Sequence, residues 1–164
     1  MIKGLRQGRL HASFDRMIPV LPDLQRECVM RERIVVAMNR KNPLSARSEI
    51  DFLALRDEPM IVGDLPNSSL MPAYILARHY SFDLIVAHKA NNFISSVCLV
   101  AGGFGTCLVP RSLMGLSHPA VVYRPLNGRL ASNRRRRPPR AYSTVTLFAR
   151  LRGLSTSVPR ITAA

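Results

Sequence analysis

The sequence contains no apolar run long enough to cross a membrane. Its 164 residues are 47% apolar, but no run approaches the roughly 20 apolar residues that a spanning helix needs. The N-terminal residues Met-Ile-Lys-Gly-Leu-Arg-Gln-Gly-Arg also lack the apolar segment of a secretory signal. The length and the apolar content suit one ordinary domain with its own core. The sequence therefore predicts a cytoplasmic protein.

Patterns of catalytic and metal-binding residues are missing as well. Cys28, Cys98 and Cys107 show no Cys-x-x-Cys spacing and stand next to Val or Leu, which predicts reduced, buried thiols. A zinc site would need four ligands at recognisable spacing, and no such spacing is found around His11, His79, His88 or His118. The chain also lacks a Gly-x-Ser-x-Gly nucleophile elbow. We therefore expect no metal, no cofactor and no enzymatic activity.

Acidic residues are absent from the last part of the chain. Residues 127–164 hold nine of the 24 basic residues, all of them arginines, and none of the ten acidic residues. Most of the net charge of +14 therefore belongs to this segment. The block Arg134–Arg140 contains two prolines, which hinder a regular helix. Phosphate contacts alone carry no sequence information, so we expect no specific DNA contact by this chain alone.

The clearest pattern in the sequence is a helix followed by a buried strand. Apolar residues recur at helical spacing over Phe93–Ala101, and Asn91 or Asn92 can cap the start of this helix. The run Gly102-Gly-Phe-Gly105 then supplies the left-handed backbone conformation that ends a helix. The uncharged residues Thr106–Val109 predict a strand that is too apolar for a sheet edge.

Shorter patterns extend this alternation of helices and strands. A helix is expected to end near Gln7, one helical turn is expected over Ile50–Leu55, and a longer helix is expected over Ser69–Tyr80. Ser69 would cap that longer helix, and Pro72 would lie in its first turn. Strands are expected at Leu10–Phe14, Leu24–Met30, Arg33–Met38, Pro59–Val62 and Phe82–His88. The alternation favours an α/β sheet.

Five segments together resemble a known family. Residues 99–113, Leu-Val-Ala-Gly-Gly-Phe-Gly-Thr-Cys-Leu-Val-Pro-Arg-Ser-Leu, are similar to the "LVAAGLGVALVP" segment in the effector-binding domain of LysR-type transcriptional regulators. Residues 4–14 resemble "LRxGxLDxAF", and residues 31–44 resemble "REPLVVALPxxHPLA". Residues 55–61 resemble "LxDEPFI", and residues 121–126 resemble "VVYRPL". The five segments follow one another in the family's order from about Ile2 to Leu126.

The resemblance implies an α/β fold like that of type 2 periplasmic binding proteins, with a ligand in the cleft between two lobes. The match covers a partial first lobe and a nearly complete second lobe, truncated at both ends and without the family's winged helix-turn-helix. We therefore expect a partial effector-binding domain at residues 1–126. Residues 127–164 would be a basic tail that is disordered or unrelated to the family. A change of reading frame would produce such a break, and a tail that serves a function of its own is the alternative.

The resemblance also implies where an effector would bind, because the family's cleft is lined by loops that follow strands. Carried over residue by residue, the effector site comprises Phe14, Asp15, Arg16, Asp64, Leu65, Pro66, Asn67, Ser68, Ala90, Asn91 and Asn92. Helix N-termini near Ser69 and Asn92 would face the cleft with free N–H groups, which favours a small anion. Arg16 could add a bidentate clamp, whereas Asp64 leaves a polar or cationic effector open. The alternative is that the serines and asparagines only cap helices.

The sequence thus predicts a small-molecule sensing domain of a LysR-type regulator, with monomer and homodimer both open. Two other interpretations remain. The chain is an inactive remnant of such a regulator, or its basic tail binds nucleic acid non-specifically. Because the match is incomplete, we also expect marginal stability and exposed apolar strand edges near Leu10–Phe14 and Ile34–Ala37.

Overall fold

The chain divides into two compact units, one built from residues 1–32 and 143–164 and the other from residues 33–142. The structure, a computed structural model, describes residues 2–16, 21–64, 71–127 and 142–150. None of the helices within these ranges is both long enough and apolar enough to span a bilayer.

The first unit is a small sheet with one short helix. Its elements are α1 (Ile2–Arg6), β1 (Ala12–Asp15), the beginning of β2 (Leu24–Asn39) and nearly all of β8 (Tyr142–Arg150). β8 lies between β1 and β2 in the sheet. α1 ends as expected, because Gly8 adopts a left-handed φ of 72°. Leu5 of α1 is fully buried and packs against Leu24.

Strand β8 differs from the expectation of a disordered or unrelated tail. It pairs antiparallel with β1 in a register that runs from Ala12 opposite Ala149 to Asp15 opposite Thr146. Its sequence, Tyr-Ser-Thr-Val-Thr-Leu-Phe-Ala-Arg, is rich in the aromatic and β-branched residues that suit a strand. The block Arg134–Arg140 lies outside the described residues, so its proposed behaviour remains a prediction.

Strand β1 begins later than the sequence indicated. The strand expected at Leu10–Phe14 starts at Ala12, and only Ser13 in it is buried. Phe14 is 64% exposed and Leu10 is 41% exposed. Within the described chain β1 pairs only with β8, so its apolar side chains lie at a sheet edge, as expected for this stretch.

The second unit has the alternating α/β order that the sequence predicted. Its further strands are β3 (Ile50–Asp51), β4 (Pro59–Gly63), β5 (Ile85–Ala90), β6 (Cys107–Pro110) and β7 (Val121–Asn127). Its α-helices are α2 (Pro72–Tyr80) and α3 (Phe93–Ala101), and short 3-10 helices cover Pro43–Ala46, Phe52–Leu55 and Arg111–Gly115. The parallel pair β4–β5 and the antiparallel pairs of β2 with β6 and β7 make the structure mixed.

The centre of the second unit is the last part of β2. β6 pairs with this segment on one side, with Ile34 opposite Pro110, and β7 pairs on the other side, with Asn39 opposite Val121. The prediction of an exposed strand edge at Ile34–Ala37 is therefore wrong. The two strands predicted between Leu24 and Met38 are one continuous strand of 16 residues.

Both faces of this segment are buried, because successive side chains of a strand point to opposite faces. Ile34, Val36 and Met38 join a core with α2 and Phe52, whereas Val35 and Ala37 join a core with α3. In the first core the ring of Phe52 stacks on that of Phe82 at 5.3 Å between centroids. The sheet is thus covered by a helix on each side.

The glycine turn after α3 delivers β6 to its place between β2 and β4. Gly103 has a φ of 81° and Gly105 a φ of 148°. A Cβ atom on Gly105 would lie 2.6 Å from the carbonyl oxygen of Pro59. The close approach lets Thr106 N–H donate to that carbonyl at 2.8 Å, and the Thr106 carbonyl oxygen accepts from Ile61 N–H at 2.7 Å. The prediction that this strand is interior is confirmed.

The helix predicted over Ser69–Tyr80 begins later, at Pro72. Its N-cap residue is Met71, which has no side-chain oxygen to accept a hydrogen bond. Ser69 lies outside the described residues, and the cap position assigned to it is wrong. Pro72 occupies the first turn as expected, since its missing N–H has no intrahelical partner there.

The three cysteines are free, but only one of them is buried. Cys28 and Cys98 are exposed, so the expectation of three buried thiols is wrong for both. Cys107 packs in the core beside α3, and burial raises the pKa of its thiol to about 12. A thiol held in its neutral form is a poor nucleophile.

We predict that Gly105→Ala destabilises the second unit by about 2–4 kcal/mol, since it combines a strained backbone with a steric clash. Urea unfolding followed by circular dichroism measures the change. Gly115→Ala is the matched control, because a Cβ atom there meets nothing within 4 Å. Equal unfolding midpoints for the two variants would contradict the role assigned to Gly105.

Candidate functional site

Four of the predicted site residues gather at one edge of the second unit. β4 and β5 are parallel, with Gly63 opposite Ala90, so their carboxyl ends meet at the same edge. Asp64 follows β4, and its N–H donates to the carbonyl oxygen of Ala90 at 2.9 Å. Asn91 and Asn92 follow Ala90 directly. We call this group, together with the first turn of α3, the carboxyl edge.

Asn92 is the N-cap of α3. Its backbone is extended, with a φ of −156°, and its side-chain Oδ1 accepts from Ser95 N–H at 2.8 Å. Its carbonyl oxygen also accepts from the N–H and from the hydroxyl of Ser96, each at 3.1 Å. The capping prediction is confirmed for Asn92. This side chain therefore holds the first turn of α3 together.

The first turn of α3 keeps two hydrogen-bond donors for a ligand. An α-helix leaves its first N–H groups without intrahelical partners, and Asn92 uses those of Ser95 and Ser96. No bond to the N–H of Phe93 or Ile94 is found within the described chain. Free N–H groups at a helix N-terminus near Asn92 were expected from the sequence, and among the described residues they are those of Phe93 and Ile94.

Opposite charges meet at the carboxyl edge. The N-terminus of α3 carries the positive end of the helix dipole, while the exposed residue Asp64 brings a carboxylate to the same edge. The arrangement can hold an anionic group on the helix N–H donors. It can also accept a hydrogen bond from a hydroxyl or amino group through Asp64.

The structure also describes the predicted residues of the first unit, Phe14, Asp15 and Arg16. Phe14 is exposed, and Asp15 Oδ1 accepts from the backbone N–H of Arg16. The guanidinium of Arg16 donates to the carboxylate of Glu32, and both side chains are largely buried. A ligand that accepted two hydrogen bonds from Arg16 would therefore have to compete with the carboxylate of Glu32. The membership of these residues in an effector site stays a prediction.

The loop between β4 and α2 completes the predicted set. Leu65, Pro66, Asn67 and Ser68 lie outside the described residues, so their role in binding stays a prediction as well. The helix that follows this loop has no capping side chain, and its first residue is a proline without an N–H group. The missing cap leaves the N–H groups of Ala73 and Tyr74 without a hydrogen bond among the described residues, so α2 keeps as many backbone donors as α3.

Within the described ranges no group of three or more potential ligands can hold a metal ion. The histidines make ordinary contacts. The ring of His88 meets Phe104 edge to face at 5.3 Å, and His118 Nδ1 accepts from Ala120 N–H. Burial raises the pKa values of the Tyr80 and Tyr123 phenols. The hydroxyl of Tyr123 donates to Leu116, which is a structural contact.

The fold is of the periplasmic-binding-protein-like class. The model of the LysR substrate binding domain matches residues 1–153. The chain belongs to this family, the effector-binding part of LysR-type transcriptional regulators. The family resemblance predicted from sequence is thereby confirmed, and the matched range extends past Leu126 to include β8.

Relatives and solved structures agree with this assignment. The transcriptional regulator BudR of Raoultella terrigena is 28% identical over 100 residues, which cover 60% of this chain and 34% of BudR. The chain thus spans about a third of that relative. The BenM effector-binding domain with its effector benzoate has a TM-score of 0.74 at 22% identity, covering 94% of this chain and 67% of that one. The QuiR effector-binding domain with shikimate has a TM-score of 0.77 at 15% identity, covering 94% and 69%.

We predict that Asn92→Ala lowers the free energy of unfolding by about 1 kcal/mol, because the first turn of α3 loses its side-chain cap. Asn91→Ala is the control, since Asn91 is exposed and does not cap the helix. Chemical denaturation of both variants measures the difference. A loss at Asn91 as large as that at Asn92 would show that the cap is not the cause.

Proposed function

We propose that the carboxyl edge is the place where this chain binds its effector, and that the effector is a small organic carboxylate. The observation that carries the proposal is the pair of N–H groups, of Phe93 and Ile94, that have no hydrogen-bond partner among the described residues at the positive end of α3. A carboxylate placed there would accept two backbone hydrogen bonds. Charge-assisted bonds of this kind are shorter and stronger than neutral ones.

The carboxylate of Asp64 further restricts the class of effector that can bind at the carboxyl edge. A second negative charge at the same edge opposes an anion, unless the ligand also offers a donor to it. A carboxylate ligand that carries a hydroxyl group satisfies both partners. QuiR binds shikimate, which has such groups, and BenM binds benzoate, which has none. For this chain we therefore propose a hydroxylated carboxylate.

We predict that Asp64→Asn lowers the preference for shikimate over benzoate by about fivefold or more, the size expected when a hydrogen bond to a charged group is weakened. Shikimate loses a charged acceptor, whereas benzoate loses only a repulsion. Isothermal titration calorimetry of the full chain with each compound measures the ratio.

The matched control is Asp83→Asn, because Asp83 is an exposed aspartate just before β5, at the opposite end of that strand from Ala90. Its substitution should leave the ratio unchanged. Binding of neither compound, or an equal change in both variants, would contradict the proposed effector class.

Membership of the family also supports a role for the chain in a complete regulator. We propose that effector binding shifts the equilibrium between conformations of the effector domain, and that a dimer passes this shift to DNA-reading helices. For the chain itself we propose binding without chemical transformation, in the cytoplasm, and no sequence-specific DNA contact. The family of regulators and the neutral, buried thiol of Cys107 support binding rather than catalysis.

We further propose that the chain forms a homodimer through β5. Within the described residues this strand pairs only with β4, so its other side presents unpaired backbone groups. Ile85 is 51% exposed and Val86 is 37% exposed. An exposed strand edge with apolar side chains favours pairing with a second chain.

We predict that Val86→Lys lowers the dimer fraction, because it puts a charge into the apolar part of this edge. Light scattering after size-exclusion chromatography measures the mass. Ile94→Lys is the control, since Ile94 is 62% exposed on α3 rather than on β5. A monomeric wild-type chain, or an equal loss of dimer in both variants, would contradict an interface at β5.

A further inference from the structure

A depression lies at the end of α3 that is away from the carboxyl edge. Its volume is about 710 Å³. Its lining includes Pro59 at the start of β4, and Ala101 and Gly102 at the end of α3. The carboxyl edge is formed by the opposite ends of the same two elements, at Asp64 and Asn92. The two places are therefore separate within the second unit.

The floor of the depression is formed by the glycine turn. Gly102, Gly103 and Gly105 all line it, so no side chain of these residues fills the space. The helix carbonyls at this end are already satisfied. Asn39 Nδ2 donates to Val100 and Ala101 at 3.2 and 2.9 Å. Few free carbonyl oxygens therefore remain at the floor to bind a cation.

One wall of the depression is a turn with two cationic residues, which several hydrogen bonds hold in place. Arg40 N–H donates to Ala120 at 2.7 Å, and Asn39 Oδ1 accepts from Lys41 N–H at 2.9 Å. Arg40 Nε donates to the carbonyl oxygen of Pro119 at 2.9 Å, which positions the guanidinium. In the described chain neither its terminal nitrogens nor the Lys41 ammonium meets an acid.

The other wall carries one carboxylate. Glu58 Oε2 accepts from Asn42 Nδ2 at 2.7 Å, so this acid is held by a neutral amide rather than by either cation. The lining therefore has two positive charges and one negative charge. An arginine fork beside a second cation suits a carboxylate or a phosphate group.

We infer that this depression is a second binding site, specific for a small organic or phosphate anion and independent of the effector site. Arg40 would bind the anion through its two terminal nitrogens, and Lys41 would add a point charge. Glu58 would weaken the binding of any anion that offers it no hydrogen-bond donor. This inference does not rest on the proposed function, because it concerns the opposite end of α3.

The test is an NMR titration of the ¹⁵N-labelled full chain with sodium succinate and, separately, with inorganic phosphate, at constant ionic strength maintained with sodium chloride. We expect saturable shifts of the Gly102, Gly103 and Lys41 amides with at least one of the two anions. The Phe93 and Ile94 amides report on the carboxyl edge, so binding at that end is distinguished from binding here.

Two substitutions give effects of opposite sign. Lys41→Gln should weaken binding about two- to fivefold, and Glu58→Gln should strengthen it by a similar factor, the size of one charge contact near a protein surface. Among the described residues no hydrogen bond or ion pair of the Lys41 side chain is found, and Gln at position 58 can still accept from Asn42.

Arg111→Gln is the matched control, because it removes one exposed positive charge outside the depression. Its affinity should equal that of the wild-type chain. The inference is overturned if neither anion gives saturable shifts at Gly102 and Gly103. It is also overturned if Arg111→Gln weakens binding as much as Lys41→Gln, since the effect would then be that of overall charge.

Discussion

The burial of β2 on both faces is the constraint on which the second unit depends. Five consecutive apolar residues, Ile34–Met38, are all buried, and a strand points alternate side chains to opposite faces. Such a segment is stable only if helices cover both faces and strands pair with both edges. α2 and α3 supply the two covers, and β6 and β7 supply the two pairings.

This constraint fixes α3, and α3 in turn defines the two candidate binding places. Val97 and Val100 hold the helix against the sheet, while the glycine turn returns the chain directly into β6. The start of the helix therefore lies at the carboxyl edge with Asp64, and its first two N–H groups lack partners among the described residues. Its end lies beside Arg40 and Lys41, where the glycines leave space. One packed element thus presents different chemistry at each end.

Sequence reasoning located part of the candidate site and missed the rest for physical reasons. The cap at Asn92 was predictable, because capping depends on residues within one turn. The pairing of Arg16 with Glu32 was not, since the two residues are 16 positions apart and meet only through the fold. The depression beside Arg40 was also missed. Its polar turn has no distinctive spacing, and Glu58 and the glycines reach it from other parts of the chain.

The sequence by itself determined the family, the α/β alternation and the local features around α3, because these rest on short motifs and on periodic apolar residues. The tertiary structure decided which strands are central and which lie at an edge. Ile34–Ala37 lie in the interior, Leu10 and Phe14 are exposed, and β8 pairs with β1. Pairing and burial depend on contacts between distant segments. A local pattern fixes the type of an element but not its neighbours.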